Sequence, residues 1–548
     1  ELLIQKMTGY ISFVKGEDPY YFPFRIYPKN IKSLEDNSLQ YLLANNKMKY
    51  PKNIINKQDD KRGKIKYLDL YLTDIGNEQD NYYKKYIELY NSSKSKSWGY
   101  TEMDGAKQIL NMSYPIKGDI QNKDKLKKTY GKIGLIGEKN NEEGIMIMKK
   151  NGDGIYKFEY NEKRKEYMNV FEKPELKKYS GKLNNIMNLI NDSEGITLIY
   201  SQYIYGGCIP LALALEHEGY LRYKDKNTKG GNLFKKPRVN NTNVKGKYIM
   251  ITGDNNFSPR GNNKEELLAC NKINNKNGEI IKVVIISAAG SEGLDFKNIR
   301  NVHILEPWYN LYRQAQVEGR AIRNLSHCQL KFENRNTTIF LHGTNLNRNE
   351  EAIDLHIYRI AEKKAIKIGE IANILKENAV DCLLNKNKLL LTKNKLNKKE
   401  NITVSYGPNE IIKDFEIGYS NNSLICGFMD CDYKCKPSDK FKKNVNNTIY
   451  NENIFNLSIG KILQRIRMLF KEKYLYDKTT LFHNIKKNRK YDDIQIYQAL
   501  NILIDDKREF IEDMLGRQGY LNNIGNLYIF KPIDLDDDYN SIYNIKSP

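Results

Sequence analysis

The pattern of apolar and polar positions changes near residue 180, and the part that follows predicts a parallel sheet flanked by helices. Short, almost continuous apolar runs alternate there with segments of helix length, which is typical of strands covered on both faces. The predicted strands are residues 196–201, 248–252, 280–287, 302–307 and 338–343, and the predicted helices between them are 207–219, 263–272 and 310–323.

Small and polar residues directly follow four of these strands. They are Ser201-Gln202, Thr252–Asp254, Ser287–Asp295 and Glu306-Pro307. Ligands of parallel α/β sheets bind outside the carboxyl ends of the strands, in the loops that come next. The sequence therefore predicts a binding site at this edge of the sheet.

The first 179 residues show no pattern that points to a particular chemistry. Residues 1–29 are interpreted as a linker, because the prolines from Pro19 to Pro28 exclude a helix. Their aromatic side chains are expected to pack, with base stacking as the alternative. Residues 30–179 are interpreted as a polar insert of unknown role, in which the alternation over 67–75 predicts a strand at an exposed edge.

The part after the sheet begins with a long predicted helix over 350–376, whose apolar face runs from Ala352 to Ile371. Near the C-terminus, three predicted helices precede a strand–turn–strand, which is the winged-helix pattern. Such units bind DNA or other proteins, and both alternatives stay open. The three helices are 461–474, 480–488 and 493–506.

The formal net charge of +22 indicates a polyanionic partner, because Lys and Arg contacts to phosphates release condensed counterions. The alternative explanation of the charge is that the proteome as a whole is rich in Lys and Asn because the genome is AT-rich. No apolar run approaches the length of a membrane span and no signal peptide is visible, so a membrane role is not expected. The chain begins with Glu1, and we expect it to be a fragment or a processed product.

The seven cysteines are scattered, which indicates reduced thiols in a cytosol-like compartment. Three of them, Cys426, Cys431 and Cys435, lie within ten residues, and Cys382 is the natural fourth ligand for Zn²⁺. Three free thiols are the alternative. Zinc is therefore a possible cofactor of this segment.

The strongest motif is the sequence from Gln316 to Arg323, Gln-x-x-Gly-Arg-x-x-Arg. On one helix, Gln316, Arg320 and Arg323 would share a face. A guanidinium stays charged and its planar fork suits a phosphoryl group. Gly319 would let the helix approach a neighbour closely. An amphipathic helix with surface arginines is the alternative.

A second motif, Ser287 to Phe296, is a loop of small residues that follows a buried strand. Such a loop exposes backbone N–H groups to a phosphate. Asp295 could accept a hydrogen bond from a ribose hydroxyl or orient the arginine helix. A glycine-rich turn that caps a strand is the alternative, but the two motifs occur in order across one strand and support each other.

These two motifs resemble motifs V and VI of superfamily-2 helicases, in the second RecA-like domain. More narrowly, SEGLDFKNIRNVHILEPWYN, EGRAIRNLSH and GRQGYLNNIGNLYIFKP resemble helicases of large DNA viruses, akin to the poxvirus-type early transcription factor helicase subunit and nucleoside triphosphatase I. The resemblance covers residues 1–29 and most of 180–533. It implies an α/β fold with a RecA-like doubly wound sheet at 180–349, a helical extension at 350–400, a Cys-bearing segment at 401–455, a winged-helix-like domain at 456–533 and an acidic tail at 534–548.

The resemblance also implies roles for individual residues. Arg320 and Arg323 would approach the triphosphate of ATP, with Arg323 as the arginine finger, and Gln316 would contact the nucleotide or the arginines. Gly293 and Asp295 would touch the ribose. The nucleic-acid backbone would be held by Ser201, Thr252, Gly290 and Ser291, whereas His303 and His327 are expected to be structural.

The sequence departs from the family because it lacks the motifs that form one half of the ATP site. The phosphate-binding loop Gly-x-x-x-x-Gly-Lys-Ser/Thr and the acidic pair that binds Mg²⁺ do not occur in the sequence. The resemblance therefore implies that a first RecA-like domain, upstream or on another chain, supplies the Mg²⁺ ligands. The isolated chain is expected to hydrolyse no ATP.

The function implied is the C-terminal part of a viral nucleic-acid-dependent ATPase or helicase, which couples ATP hydrolysis to DNA translocation or unwinding in viral transcription. DNA is favoured over RNA, the viral transcription machinery is a possible partner, and the virion and the host cytoplasm are the implied locations. The alternative is a non-catalytic nucleic-acid-binding transcription or assembly subunit with a degenerate RecA-like fold.

Overall fold

The computed structural model describes most of the chain and divides it into two compact units. The larger unit is Gly9–Lys436 and the smaller one combines Glu1–Thr8 with Pro437–Pro548. The described residues are 2–7, 10–12, 21–54, 63–91, 99–138, 143–152, 154–236, 244–288, 293–380, 400–407, 410–417, 426–429, 451–487, 489–506 and 508–535.

Within these ranges the larger unit contains twelve strands and eleven helices. The strands are β1 (Phe24–Ile26), β2 (Leu70–Asp74), β3 (Met146–Lys150), β4 (Tyr156–Tyr160), β5 (Ile196–Tyr200), β6 (Tyr220–Arg222), β7 (Gly246–Ile251), β8 (Val283–Ile286), β9 (Ile299–Ile304), β10 (Asn336–Asn345), β11 (Glu400–Tyr406) and β12 (Glu410–Ile417). After α1 (Leu2–Met7) of the smaller unit, the helices are α2 (Leu39–Ala44), α3 (Asn77–Asn91), α4 (Tyr100–Asn111), α5 (Lys123–Lys127), α6 (Gly131–Ile136), α7 (Lys173–Tyr179), α8 (Gly181–Asp192), α9 (Ile209–His217), α10 (Arg260–Cys270), α11 (Leu311–Ala321) and α12 (Ile353–Glu377).

The larger unit is organised around a parallel sheet with the order β1-β10-β9-β5-β8-β7-β6, to which β2 adds by pairing with β10. All of its pairings are parallel. The five strands predicted from apolar runs are all present, as β5, β7, β8, β9 and β10, and they form the centre of the sheet. The predicted α/β class with a parallel sheet is confirmed.

Both faces of the sheet are buried, because successive residues of the central strands pack into two different cores. Leu198 of β5 and Ile249 of β7 lie in one core, whereas Ile199 and Met250 lie in the other. Strands that bury both faces need apolar side chains at nearly every position. This explains why the sequence shows these strands as continuous apolar runs and not as alternating apolar and polar residues.

The outer edge of β10 is covered by two short strands from the first 75 residues. β1 pairs with residues 336–338 and β2 with 341–345, one after the other along the same edge. The strand predicted at 67–75 is present, but the expectation that it is exposed is wrong. Its side chains from Leu70 to Thr73 are buried, because helices pack over both of its faces.

The segment before β2 is fixed by buried carboxylates. Glu362 of α12 accepts backbone N–H bonds from Lys66, Tyr67 and Leu68 at 2.8–3.0 Å. Asp69 accepts a hydrogen bond from the Ser38 hydroxyl at 2.6 Å. Residues far upstream of the central strands are thus part of the same folded unit, and the predicted domain boundaries at 29 and 179 stay predictions.

Helix α12 confirms the long helix predicted after the sheet, but its apolar face is only partly buried. Ala352 and Ala365 are buried, as expected. Ile368 and Ile371, which were assigned to the same face, are exposed. The antiparallel hairpin β11–β12 packs its Val404 against Phe24 of β1.

The smaller unit contains helices α13 (Asn451–Glu472), α14 (Lys478–Lys486) and α15 (Asp493–Asp505), with strands β13 (Leu475–Asp477), β14 (Ile511–Glu512), β15 (Gln518–Ile524) and β16 (Leu527–Pro532). The strands form an antiparallel sheet in the order β13-β16-β15-β14. Three helices followed by a hairpin are present as predicted, with a core of their own. The winged-helix assignment stays a prediction.

In the part of the chain that the structure describes, no helix combines the length and the apolar character needed to cross a membrane.

Three of the four histidines that are buried in the described part of the larger unit are His303, His327 and His342. Nδ1 of His303 on β9 lies 2.9 Å from Nε2 of His342 on β10, and Nε2 of His327 lies 2.8 Å from the Ile299 carbonyl oxygen. Burial lowers the pKa of His303 to about 3 and that of His327 to about 4, and it holds the pKa of His342 well below its ordinary value. The imidazole rings are therefore neutral in the folded protein at pH 7. They pack inside the protein, as expected for structural residues.

We expect protonation of these three histidines to lower the stability of the larger unit as the pH falls from 7 to 5, while Glu216, whose pKa burial raises to about 7, offsets part of the loss. The unfolded chain binds a proton at each of these histidines below a pKa of about 6.5, whereas the folded chain does so only at much lower pH. Each depressed pKa therefore removes about 2 kcal/mol of stability by pH 5. Urea unfolding followed by near-UV circular dichroism at the two pH values measures the loss.

The double variant His303→Leu/His342→Leu serves as the control, because it keeps apolar packing and removes two of the titrating rings. It should lose less stability between pH 7 and pH 5 than the unaltered protein. An equal loss would contradict the assignment to these histidines.

Candidate functional site at the carboxyl edge of the sheet

The polar residues predicted at the strand ends do meet at one edge of the sheet. The Ser201 hydroxyl, after β5, donates to both carboxylate oxygens of Glu306, after β9, at 3.0 Å. The Ser287 hydroxyl, after β8, donates to the Thr252 carbonyl oxygen, after β7, at 2.6 Å. The prediction that these loops lie together at one edge of the sheet is confirmed.

Ser201 and Thr252 are buried at this edge, so their side chains face the protein. The Thr252 N–H donates to the Ser258 hydroxyl, and its own hydroxyl accepts from the Asp254 N–H. After Ser201 the chain forms a π-helical turn, Ile204–Cys208, that leads into α9. Gly207 is required in this turn, because a Cβ there would lie 2.0 Å from the Ser201 hydroxyl oxygen.

Glu306 is the centre of the edge, with 1% of its surface exposed. Its carboxylate accepts hydrogen bonds from the Asn111 side chain at 2.7 Å and from the Gln202 N–H at 2.5 Å, besides the bond from Ser201. Burial raises the pKa of Glu306, while these donors and the nearby ammonium groups of Lys107 and Lys182 oppose that rise. The carboxylate thus ties the loops after β5 and β9 to helix α4.

Helix α4 supplies a residue that sequence reasoning did not identify. Lys107 is fully buried, forms an ion pair with Asp104 at 2.8 Å and lies 4.7 Å from the ring centre of Tyr309. Burial lowers the pKa of Lys107, and Asp104 opposes this effect. Its position among the apolar residues Met103 and Leu110 on one helix face is the signal that could have revealed it.

A second buried cation supports the same edge from α8. Nζ of Lys182 lies 2.7 Å from Oδ2 of Asp354 at the start of α12 and donates to the Leu305 carbonyl oxygen at 3.2 Å. Both side chains of the ion pair are almost completely buried. Oδ2 of Asp354 also accepts a hydrogen bond from the Thr344 hydroxyl at 2.7 Å. This pair fixes α8 and α12 beneath the loop that contains Glu306.

The two motifs predicted to act together are in contact. Arg320 Nη1 and Arg323 Nη2 both donate to the Leu294 carbonyl oxygen, at 3.2 and 3.4 Å. Nε of Arg323 also lies 3.2 Å from Oδ1 of Asp295. The carboxylate of Asp295 thus contacts an arginine just past the helix, while its predicted roles, a ribose contact or orientation of the arginine helix, stay predictions.

Two details of the predicted arginine helix are wrong. Arg323 does not lie on α11, because the helix ends at Ala321 and the β-branched Ile322 adopts an extended conformation with φ −106°. Gly319 permits no close helix contact, since a Cβ there would meet open space. Its carbonyl oxygen instead accepts a hydrogen bond from Arg323 Nε at 3.0 Å.

Two other predicted nucleotide contacts, Gln316 and Gly293, are exposed near this arginine pair. Gly293 has a φ of +73°, in the left-handed region that glycine adopts without strain. Within α11 the carboxylate of Glu318 accepts a hydrogen bond from the Gln314 side chain and lies 3.7 Å from Nε of Arg25 on β1. The helix is therefore held from the upstream segment as well.

Several predicted site residues lie outside the described residues. These are Gly290 and Ser291 of the loop after β8, and Cys382, Cys431 and Cys435 of the predicted zinc set. The remaining cysteine of that set, Cys426, is described, is buried and is disulfide-bonded, so the prediction that it is a reduced thiol free to bind Zn²⁺ is wrong for this structure. In the described ranges no cluster of three or more His, Cys, Asp or Glu side chains could hold a metal ion.

Comparison with known proteins identifies the domain that contains both motifs. Residues 243–325 match the helicase conserved C-terminal domain family. This part of the chain is thus similar to the C-terminal domain of helicases, as the motifs suggested.

The similarity extends to proteins of large DNA viruses. A candidate ATP-dependent RNA helicase of Acanthamoeba polyphaga mimivirus is 26% identical over 442 residues, which cover 68% of this chain and 36% of that protein. A candidate helicase of Invertebrate iridescent virus 3 is 32% identical over 256 residues, 45% of this chain and 25% of that protein. A termination factor NPH-I homologue of African swine fever virus is 29% identical over 237 residues, 38% of this chain and 33% of that protein.

The chain is thus similar to helicases of large DNA viruses, as its motifs indicated. It spans about a quarter to a third of the length of the curated relatives that it matches.

The buried pair of Lys182 and Asp354 gives a test of how the site is supported. Lys182→Met should destabilise the larger unit by about 3–5 kcal/mol, because it leaves a buried carboxylate without its cation. Lys178→Met on α7 removes an exposed ion pair with Glu175 and should cost far less. Urea unfolding of both variants measures the difference.

The double variant Lys182→Met/Asp354→Leu removes both charges and should recover part of the lost stability. A double variant less stable than Lys182→Met would show that the loss comes from packing rather than from the unpaired charge.

Proposed function

We propose that this chain is the C-terminal part of a viral nucleic-acid-dependent ATPase or helicase, which couples ATP hydrolysis to translocation along DNA or to its unwinding. The observation that carries the proposal is the convergence of Arg320 and Arg323 on one carbonyl oxygen beside Asp295. Two guanidinium groups held together at the end of α11, near the start of β9, suit the charge that spreads over a phosphoryl group during its transfer.

In this proposal the arginines face the triphosphate of ATP and Arg323 acts as the arginine finger. Its side chain is 40% exposed and reaches beyond the end of α11, so it could turn towards a nucleotide bound on a partner domain. Gln316, Gly293 and Asp295 are exposed close by and would contact the nucleotide. Bound Mg²⁺ would neutralise phosphate charge, with ligands supplied by a first RecA-like domain together with the phosphate-binding loop.

Nucleic acid would cross the carboxyl edge of the sheet, along the loops that follow β5, β7 and β8. The buried hydroxyl groups of Ser201 and Thr252 would shape these loops, while Gly290 and Ser291 would contact the phosphate backbone. The charge of +22 supports a polyanionic partner. Helix α15 contains no Lys or Arg and is flanked by aspartates, which disfavours a role for it in reading DNA.

The relatives support a viral setting for this activity. A transcriptional role, with the viral transcription machinery as partner, is suggested by the termination factor homologue. DNA is proposed as the substrate in preference to RNA, although one relative is named for RNA. We place the protein in the virion and the host cytoplasm. Binding of Zn²⁺ by the Cys-bearing segment stays a proposal that requires Cys426 as a reduced thiolate.

In the protein with a complete ATP site, Arg323→Ala should lower ATP turnover on the order of a thousandfold or more, because the transition-state charge loses its guanidinium. Arg508→Ala in the smaller unit, which removes an exposed arginine, is the matched control and should leave turnover unchanged. Steady-state phosphate release in the presence of DNA measures both.

The chain of residues 1–548 alone should hydrolyse no ATP. Turnover by this chain that is stimulated by nucleic acid and lost in Arg323→Ala would overturn the half-site proposal. Full activity of Arg323→Ala in the complete protein would instead favour a non-catalytic role for this domain.

The purified chain should bind nucleic acid with an affinity that falls steeply with salt. For about six phosphate contacts, the logarithm of the association constant should fall with the logarithm of the salt concentration with a slope of about −5. Fluorescence anisotropy with duplex DNA, single-stranded DNA and single-stranded RNA between 50 and 200 mM salt measures the slope and the preference. Absence of binding at 50 mM salt would contradict the proposal.

A further inference from the structure

A group of aromatic rings lies at the carboxyl edge where α4 meets the loop between β9 and α11. Tyr100 is 64% exposed, and Trp308 and Tyr309 are half-buried. The ring centroids of Tyr100 and Tyr309 are 4.6 Å apart in an edge-to-face contact, and those of Trp308 and Tyr309 are 6.0 Å apart. These three residues are named the aromatic platform.

Cations accompany the aromatic platform. The guanidinium carbon of Arg313 lies 4.5 Å from the Trp308 ring centre. Nζ of Lys107 lies 4.7 Å from the ring centre of Tyr309 and 5.9 Å from that of Trp308. Aromatic rings beside positive charge are the combination that proteins use to bind single-stranded nucleic acids, because each base has a face that stacks and each linkage carries a negative charge.

The platform is held in place by the polar network beneath it. The Tyr309 hydroxyl lies 3.5 Å from both the Tyr100 carbonyl oxygen and Oδ1 of Asp104. The same Asp104 oxygen accepts a hydrogen bond from Tyr203 at 2.7 Å and pairs with Lys107. Rings that are already ordered lose little conformational freedom when a ligand binds.

The high exposure of Tyr100 argues against a purely structural role. A tyrosine that served only to pack α4 against the sheet would be buried, as Tyr86 and Tyr114 are in the same region. An apolar protein segment could also cover these rings. However, the half-buried guanidinium of Arg313 beside Trp308 and the strongly positive chain favour a polyanion over an apolar partner.

We propose that the aromatic platform stacks an unpaired base of a single-stranded nucleic acid. Helix α4, from the segment to which the sequence assigned no chemistry, would then form part of the nucleic-acid-binding surface. The inference rests on the proposed nucleic-acid binding and adds to it the preference for unpaired bases at this position.

Fluorescence anisotropy with a 20-nucleotide oligothymidylate and with a 20-base-pair duplex tests the inference. Tyr100→Ala should weaken binding to the single strand on the order of tenfold and leave duplex affinity unchanged, because only unpaired bases can stack. Tyr100→Phe keeps the ring and should bind as the unaltered protein does. Tyr21→Ala, which removes an exposed tyrosine near the opposite edge, is the control and should have no effect.

A spectroscopic test follows from the two tryptophans of the chain, Trp98 and Trp308. In the Trp98→Phe variant all tryptophan emission comes from Trp308. Stacking of a base on the platform should quench this emission on addition of oligothymidylate, and duplex DNA should not.

The outcomes separate this inference from the function on which it rests. If the unaltered chain binds neither nucleic acid, the proposed function fails. If it binds the single strand but Tyr100→Ala binds equally well, or loses single-strand and duplex affinity alike, the platform does not stack bases and only this inference is overturned. Unchanged Trp308 emission at saturating oligothymidylate would overturn it as well.

Discussion

Glu306 carries a carboxylate that is almost completely removed from water at the end of a central strand. A buried carboxylate is costly unless donors and cations surround it. Here the donors come from the loop after β5 and from α4, and the cations Lys107 and Lys182 lie nearby. The geometry of the whole carboxyl edge depends on satisfying this one group, because the residues that satisfy it also define where the loops run.

The candidate site combines a rigid part at the carboxyl edge of the sheet with a part near the start of β9 that can move. The loops around Glu306 are fixed by buried hydrogen bonds and ion pairs. Arg323, by contrast, lies past the end of its helix, with a carbonyl oxygen and an exposed carboxylate as partners. A side chain that must reach a nucleotide on another domain needs such freedom, whereas the surface that binds a polymer is better ordered in advance.

The central strands could be predicted from the sequence because burial on both faces requires apolar residues at successive positions. The contact between the two motifs could also be predicted, since their order across one strand places them side by side. The end of α11 before Arg323 could not, because it depends on the backbone conformation of a single residue, Ile322.

The role of α4 escaped prediction for a different reason. The hydrogen bond from Asn111 to Glu306 joins residues 195 positions apart, and no local pattern encodes such a contact. A local pattern did exist for Lys107, because it is a charged residue on an apolar helix face. That pattern does not indicate which residues Lys107 contacts. Strand β1 was not predicted, because three residues carry little periodic signal. Strand β2 was predicted from its alternation, but not its position beside β10.

Strands β1 and β2 pair with the edge of β10 that lies opposite β9, and this has a consequence for folding during synthesis. More than 300 residues separate β1 from its partner positions on β10. During synthesis the first strands leave the ribosome long before β10 exists, and β10 in turn has an open edge until they return. Contacts of such long range slow folding and leave strand edges unpaired in the meantime. The order of synthesis thus makes closure of this edge a late step, because β10 must emerge before β1 and β2 can pair with it.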